Sequence, residues 1–314
     1  MKKFIIALLF MPLAASLYAQ NKTDTSTAIS DLYISSAPGL ILAGKSTTSV
    51  ERPTTPRAFA VSLINLVQGG SVEVTPYWWF HHPSLSYESY MQQHFVLLQT
   101  LNFSVSDFKT DSNFSVAPGI RTQVARFYSK GAIAKLKAKK AEIVNALTTL
   151  PVDQKKITQL QGQLDSLSAK GIIALELAGA VLGTSSGNPL RNLDFNTTGV
   201  WANLSWSPIA IPVGFVGMAR YLWGSDKTAT STTFSRYLDI GAQANYITSK
   251  WNAELEYVFR KDILSHQTYH RVAGTLTYVI NQNVSLEASY GKGLAQGQRV
   301  ATLFGLNFGI DRSK

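Results

Sequence analysis

Trp251-Asn252-Ala253-Glu254-Leu255-Glu256-Tyr257-Val258-Phe259-Arg260 sets apolar against polar side chains at every second position. Trp251, Ala253, Leu255, Tyr257 and Phe259 fall on one side, and Asn252, Glu254, Glu256 and Arg260 on the other. Successive side chains of a strand point to opposite faces, so the stretch predicts a strand with one apolar and one charged face. The same period runs through 233–248, where Phe234, Leu238, Ile240, Ala242, Ala244 and Tyr246 oppose Ser235, Tyr237, Asp239, Gly241, Gln243 and Asn245. It returns in 283–291 and 299–310.

Extended along the chain, this pattern marks twelve segments: about 58–67, 71–80, 93–107, 113–127, 171–183, 198–207, 211–224, 233–248, 251–262, 267–280, 283–291 and 299–310. Globular strands average about 5–6 residues, whereas strands that cross a bilayer obliquely need about 9–11. Aromatic residues gather at segment ends, among them Tyr77 to Phe80, Phe127, Trp206, Trp223 and Trp251. Such rings settle at the headgroup level of a membrane. Pro118-Gly119 interrupts the fourth segment and demands a bulge or an edge there.

The 314 residues are 45% hydrophobic and 15% charged, which excludes a disordered chain. With no Cys there is no disulfide frame, no zinc-thiolate site and no cysteine nucleophile. Lys2-Lys3, the uncharged run Phe4 to Leu17 and Tyr18-Ala19-Gln20 predict a secretory signal peptide over 1–19, cleaved after Ala19. No later segment offers the uninterrupted apolar length of a membrane helix, so membrane insertion would require a closed barrel. Residues 20–56, rich in Ser, Thr and Pro, predict an N-terminal arm or plug whose Leu40-Ile41-Leu42 must be buried, naturally at a barrel mouth.

With these features and the closing stretch Thr302-Leu303-Phe304-Gly305-Leu306-Asn307-Phe308-Gly309-Ile310, the chain resembles bacterial outer-membrane β-barrel proteins. The resemblance spans about 57–310 and is one of architecture. It implies an all-β fold, an antiparallel transmembrane β-barrel of about 12 strands with even strand number, located in the outer membrane and in contact with its lipid.

Between the fourth and fifth segments the period lengthens. Leu136, Ile143, Leu147 and Leu150, then Ile157, Leu160, Leu164 and Leu167, step by threes, fours and sevens. They predict an inserted α-helical hairpin over about 130–168, with Asp153 as N-cap of its second helix. Residues 130–170 hold eight Lys and three acids, out of a whole-chain charge of +10. Lys135, Lys137, Lys139, Lys140, Lys155 and Lys156 are the candidate contacts for an anionic periplasmic or envelope protein. Lysine without interleaved Arg or aromatic residues argues against a nucleic-acid surface. Counting strands back from the C-terminus puts the hairpin on the periplasmic side, with the short turns.

The polar faces nominate Arg121, Asp239, Glu254, Glu256, Arg271 and Glu287 as lumen or constriction residues, with Glu256, Arg271 and Glu287 forming a paired network across neighbouring strands. No cofactor or metal site is indicated, and an enzyme is not expected. Gly183-Thr184-Ser185-Ser186-Gly187 matches a nucleophile-elbow spacing but lacks a following helix. His266 and His270 lie four apart in a stretch read as loop and strand, where that spacing does not pair them. The expected function is a scaffold or interaction barrel; the alternative is a narrow channel for small solutes.

Overall fold

In the computed structural model, residues 37–43, 50–53, 55–66, 70–80, 87–109, 113–149, 153–168, 170–186, 193–227, 232–248, 250–281, 284–292 and 300–308 are described. The expected signal peptide at 1–19 lies outside them.

The chain is a large, mostly β structure with few helices. Its elements are α1 (Pro38–Leu42), β1 (Val50–Glu51), α2 (Pro56–Leu66), β2 (Gly70–Val74), α3 (Tyr87–Gln92), β3 (Asn102–Lys109), β4 (Asn113–Tyr128), α4 (Lys130–Thr148), α5 (Gln154–Ser168), β5 (Ile172–Ser186), β6 (Asp194–Ser207), β7 (Val213–Lys227), β8 (Thr232–Ile247), β9 (Trp251–Asp262), β10 (Thr268–Asn281), β11 (Val284–Lys292) and β12 (Val300–Phe308). A 3-10 turn, Pro76–Trp79, follows β2. The strands form one sheet in sequence order, β1 to β12.

Three expectations are corrected. The segment at 58–67 is helix α2, not a strand. Its apolar residues, Phe59, Val61, Leu63 and Ile64, sit within one helical stretch whose Ala58, Ala60 and Leu66 suit a helix equally well, and short apolar runs do not separate the two periods. The segment at 71–80 extends only to Val74, because Pro76 has no amide to donate to a ladder. The segment at 93–107 begins its strand at Asn102, after α3 and a turn.

The loss of the first strand alters the parity. From β2 to β12 every pairing is antiparallel, but β1 pairs parallel to β2 through Val50↔Ser71 and Glu51↔Val72. The sheet is thus mixed, and β2 and β12 run in the same direction. Among the described residues no ladder joins β12 to β1 or β2, so the sheet is not closed.

Burial along the strands is inverted relative to a water-soluble sheet. In β9, Glu256 is 1% exposed, while its neighbours Leu255 and Tyr257 are 61% and 45% exposed. Asn203, Arg220, Asp239, Gln243 and Arg271 are buried, whereas Val200, Leu204, Phe215, Ile240, Val272 and Leu276 are exposed. The polar faces form the inner side and the apolar faces the outer side. Exposed aromatic rings concentrate toward the strand ends. Trp206 stacks on Phe215 at 5.5 Å and Trp251 meets Tyr278 at 4.5 Å at one end. Tyr221 meets Trp223 at 5.6 Å, and Phe234 stands exposed, near the other.

The helical hairpin forms as predicted. Ser129 Oγ accepts from the Ala132 amide, and Asp153 Oδ1 from the Lys156 amide, so each helix has a side-chain N-cap. Leu136, Ile143, Ile157 and Leu160 are the buried seam. The base of the hairpin continues the ladders on both sides of β5: the Ser129 amide donates to Gly171 O, and the Gly171 amide to Ser207 O at the end of β6. It stands at the sheet end where β4, β6, β8, β10 and β12 finish, the end that also holds the turn at 208–212. This is hereafter the hairpin end; the opposite is the loop end.

The arm contributes α1, which rests on the inner side near the loop end. There the short side chains of Ala117 and Gly119 make room for Pro38 and Gly39. A Cβ on Gly119 would come within 3.0 Å of Pro38 Cβ and Ser104 Oγ, and one on Gly39 would collide with the Ala117 carbonyl. The Pro118 that interrupted the strand pattern lies inside β4, opposite Val105 of β3. On the β5 side the recorded partners pass from Val116↔Gly183 directly to Gly119↔Ala180. The proline therefore occupies a gap in that ladder, where its missing amide costs least.

Candidate functional site: the charged inner side

Three groups of charged residues occupy the inner side. The first spans β7, β8 and β9, whose register places Arg220, Asp239 and Arg260 directly opposite one another. Arg220 Nε donates to Asp239 Oδ2 at 2.9 Å; Arg260 donates through Nε to Oδ1 at 2.6 Å and through Nη2 to Oδ2 at 2.8 Å. Asp239 is fully buried, and the Arg260 guanidinium lies over the Tyr237 ring at 4.8 Å. A carboxylate held by two guanidinium groups satisfies its own lone pairs and tolerates burial; with one partner removed, an uncompensated charge remains.

The second group lies on β8 to β11. Glu256 and Arg271 approach to 3.6 Å, and Gln243 Nε2 donates to Glu254. Glu287 shares the inner side and accepts from Ser289 Oγ at 3.3 Å, while Ser289 Oγ also meets Thr275 Oγ1. Glu256, Arg271 and Glu287 thus face the same way, and Glu256 and Arg271 form an ion pair.

The third group lies on β2, β4 and β5, level with the middle of β4. Glu73, 3% exposed, accepts from Arg121 Nε at 2.5 Å and Arg52 Nε at 3.3 Å. Gln123 Nε2 reaches Glu176 Oε1 at 3.5 Å. These residues line a cavity of about 450 Å³ with Trp78, Trp79, Tyr90, Gln99, Thr100 and Asn102. Arg121 is therefore apart from the other five lumen candidates, which lie on β8 to β11.

Sequence reading did not nominate Arg220 or Arg52; it took Trp79 as one of the aromatic residues at a segment end and 81–92 as a long loop of candidate functional interest. Arg220 was legible, since it stands one step out of phase with Ala219, Tyr221 and Trp223 on β7. The packing of the excursion between β2 and β3 was not. Arg126 anchors it by donating to the Tyr90 and Gln93 carbonyls and lying 3.9 Å from the Tyr90 ring centre, contacts between residues more than thirty positions apart.

On the hairpin, Lys135, Lys137, Lys140, Lys155 and Lys156 are exposed, and Lys139 is bonded to Glu142 at 2.6 Å. Lys137 and Lys140 border an apolar groove of about 400 Å³ floored by Met91, Ile133, Leu136 and Val144. Ser185 is a buried residue near the end of β5, paired with Phe114. His270 is on the outer side, bonded to Tyr257 Oη at 2.6 Å, and His266 sits in a turn with φ of 59°. Among the described residues no cluster of three His, Asp or Glu side chains could hold a metal ion. Comparison with protein-family models and with curated proteins gives no match to this chain.

Proposed function

We propose that the chain is an integral outer-membrane β-barrel protein whose outer side is covered by lipid, and that it acts as a non-enzymatic interaction scaffold through its basic hairpin. The observation that carries this reading is the inversion of burial: Asp239, Glu256, Arg220 and Arg271 inside, with Leu204, Ile240, Leu255 and Leu276 outside. In water an apolar side of this extent would drive association; in hydrocarbon it is the favourable arrangement. The aromatic rings at both strand ends support the same reading. Closure of β12 against the β1–β2 edge would make a parallel seam, a departure from the antiparallel pairing of bacterial barrels.

The hairpin is an insertion that sheet pairing does not require, and it extends at the end where the C-terminal strand finishes. Six of its lysines, Lys135, Lys137, Lys139, Lys140, Lys155 and Lys156, suit an anionic envelope partner. Changing all six to Gln should leave a barrel that migrates differently on a gel before and after heating, but one that no longer co-purifies with envelope partners. Unchanged co-purification would refute the hairpin's role; a mobility insensitive to heating would refute the barrel. A second reading, passage of small solutes, is favoured by the cavity at Arg121 and Glu176. Planar-bilayer recording tests it, and absence of conductance would refute it.

A further inference from the structure

The cavity between the sheet and the excursion residues 76–80 and 87–100 has a composition that selects one kind of ligand. We propose that it is a binding site for a neutral saccharide. Its charged wall holds two cations, Arg52 and Arg121, and two carboxylates, Glu73 and Glu176, so the wall is neutral and favours neither an anion nor a cation. The lining is also aromatic, through Trp78, Trp79 and Tyr90. A sugar ring presents an apolar C–H face suited to the electron-rich face of an aromatic ring, and a rim of hydroxyls that each donate and accept. Carboxylate, guanidinium and amide groups are the side chains that engage such hydroxyls in pairs, and Glu176, Arg121, Gln123, Gln99 and Asn102 supply all three.

The aromatic wall is fixed before any ligand arrives. Trp78 Nε1 donates to Gln99 O at 2.8 Å, and its ring meets Tyr90 edge-on at 5.3 Å. Trp79 packs against Phe59 at 5.8 Å, which ties the wall to α2. The charged wall is fixed too, through Arg121 and Arg52 on Glu73. A site with both walls held in place loses little freedom on binding. Its volume, about 450 Å³, lies within the ordinary range for small-molecule sites, about 300–1,000 Å³.

The test is calorimetric titration of the full-length protein in a detergent without a sugar headgroup. The probes are glucose, N-acetylglucosamine and maltose, with glutamate and spermidine as charged controls. At least one saccharide should bind saturably in the millimolar range, and neither charged control should compete. Removing a hydrogen bond to a charged group costs about 1.5–3 kcal/mol, so Glu176→Gln should weaken binding about 10-fold or more. Trp79→Ala should weaken it similarly, and Leu276→Ala, on the outer side of β10, should leave affinity unchanged in protein that still shows heat-dependent mobility. No binding by any saccharide, binding unaffected by both cavity variants, or preference for a charged control would overturn the assignment. None of these results bears on the hairpin's lysines, which the co-purification experiment tests separately.

Discussion

Leu255→Arg is the substitution on which water and lipid as surroundings disagree most. Leu255 is 61% exposed on the outer side of β9. In water, a surface substitution away from special features shifts stability within about 0.5 kcal/mol. Under lipid, the penalty depends on depth. The 12 residues of β9, at about 3.3 Å each, extend about 40 Å, which at a tilt of about 40° covers about 30 Å along the membrane normal. Leu255 stands four residues from Trp251, about 10 Å inside the aromatic ring at the hairpin end and close to the midplane of an apolar band about 25 Å tall. An arginine there should cost about 2–4 kcal/mol, falling to about 0–1 near the interface. Phe95, 74% exposed at the hairpin end, supplies the interfacial control. The assay is reversible urea unfolding from phosphatidylcholine vesicles, followed by the fluorescence of the six tryptophans. With a slope of about 2 kcal/mol per molar urea, Leu255→Arg should lower the midpoint by about 1–2 M, and Phe95→Arg by less than about 0.5 M. Equal, small shifts for both would refute a lipid-covered outer side.

Other substitutions probe the interior. Asp239→Ala leaves Arg220 and Arg260 facing each other without their carboxylate, and should destabilise by about 3–5 kcal/mol in the same unfolding assay. The triple replacement Arg220→Met, Asp239→Leu, Arg260→Met should recover most of that loss, because it removes the charges together. Gly171 has φ of +67°, and a Cβ there would lie 2.5 Å from Ala132 Cβ, so Gly171→Ala should cost about 1–3 kcal/mol and hasten proteolysis of the hairpin before that of the sheet. Gly39→Val would thrust a side chain against the Ala117 carbonyl and should dislodge α1, seen as faster trypsin cleavage at Lys45 with an unchanged urea midpoint for the strands.

The elements whose reading survived are those that need only local information. The strands from β4 to β12 are long and mostly alternate, so a single stretch such as 251–260 reports both its conformation and which side chains share a face. The hairpin was equally legible, because its seam residues and the cap at Asp153 lie within a few residues of one another. At 58–67 local information was insufficient: a short apolar run satisfies either period, and only its tertiary setting between β1 and β2 decides for the helix.

What the sequence alone determined, then, is which side chains each strand presents together, since the pleat alternates regardless of what lies beyond it. Which strands are neighbours, and in what register, belongs to the tertiary structure. Arg220, Asp239 and Arg260 converge because two loops fold three strands side by side, and Glu73 meets Arg52 across a helix and Arg121 across a strand. Charge pairing acts over a few ångströms, whereas these partners are separated by about twenty to fifty positions along the chain, so nothing in any one segment could announce them.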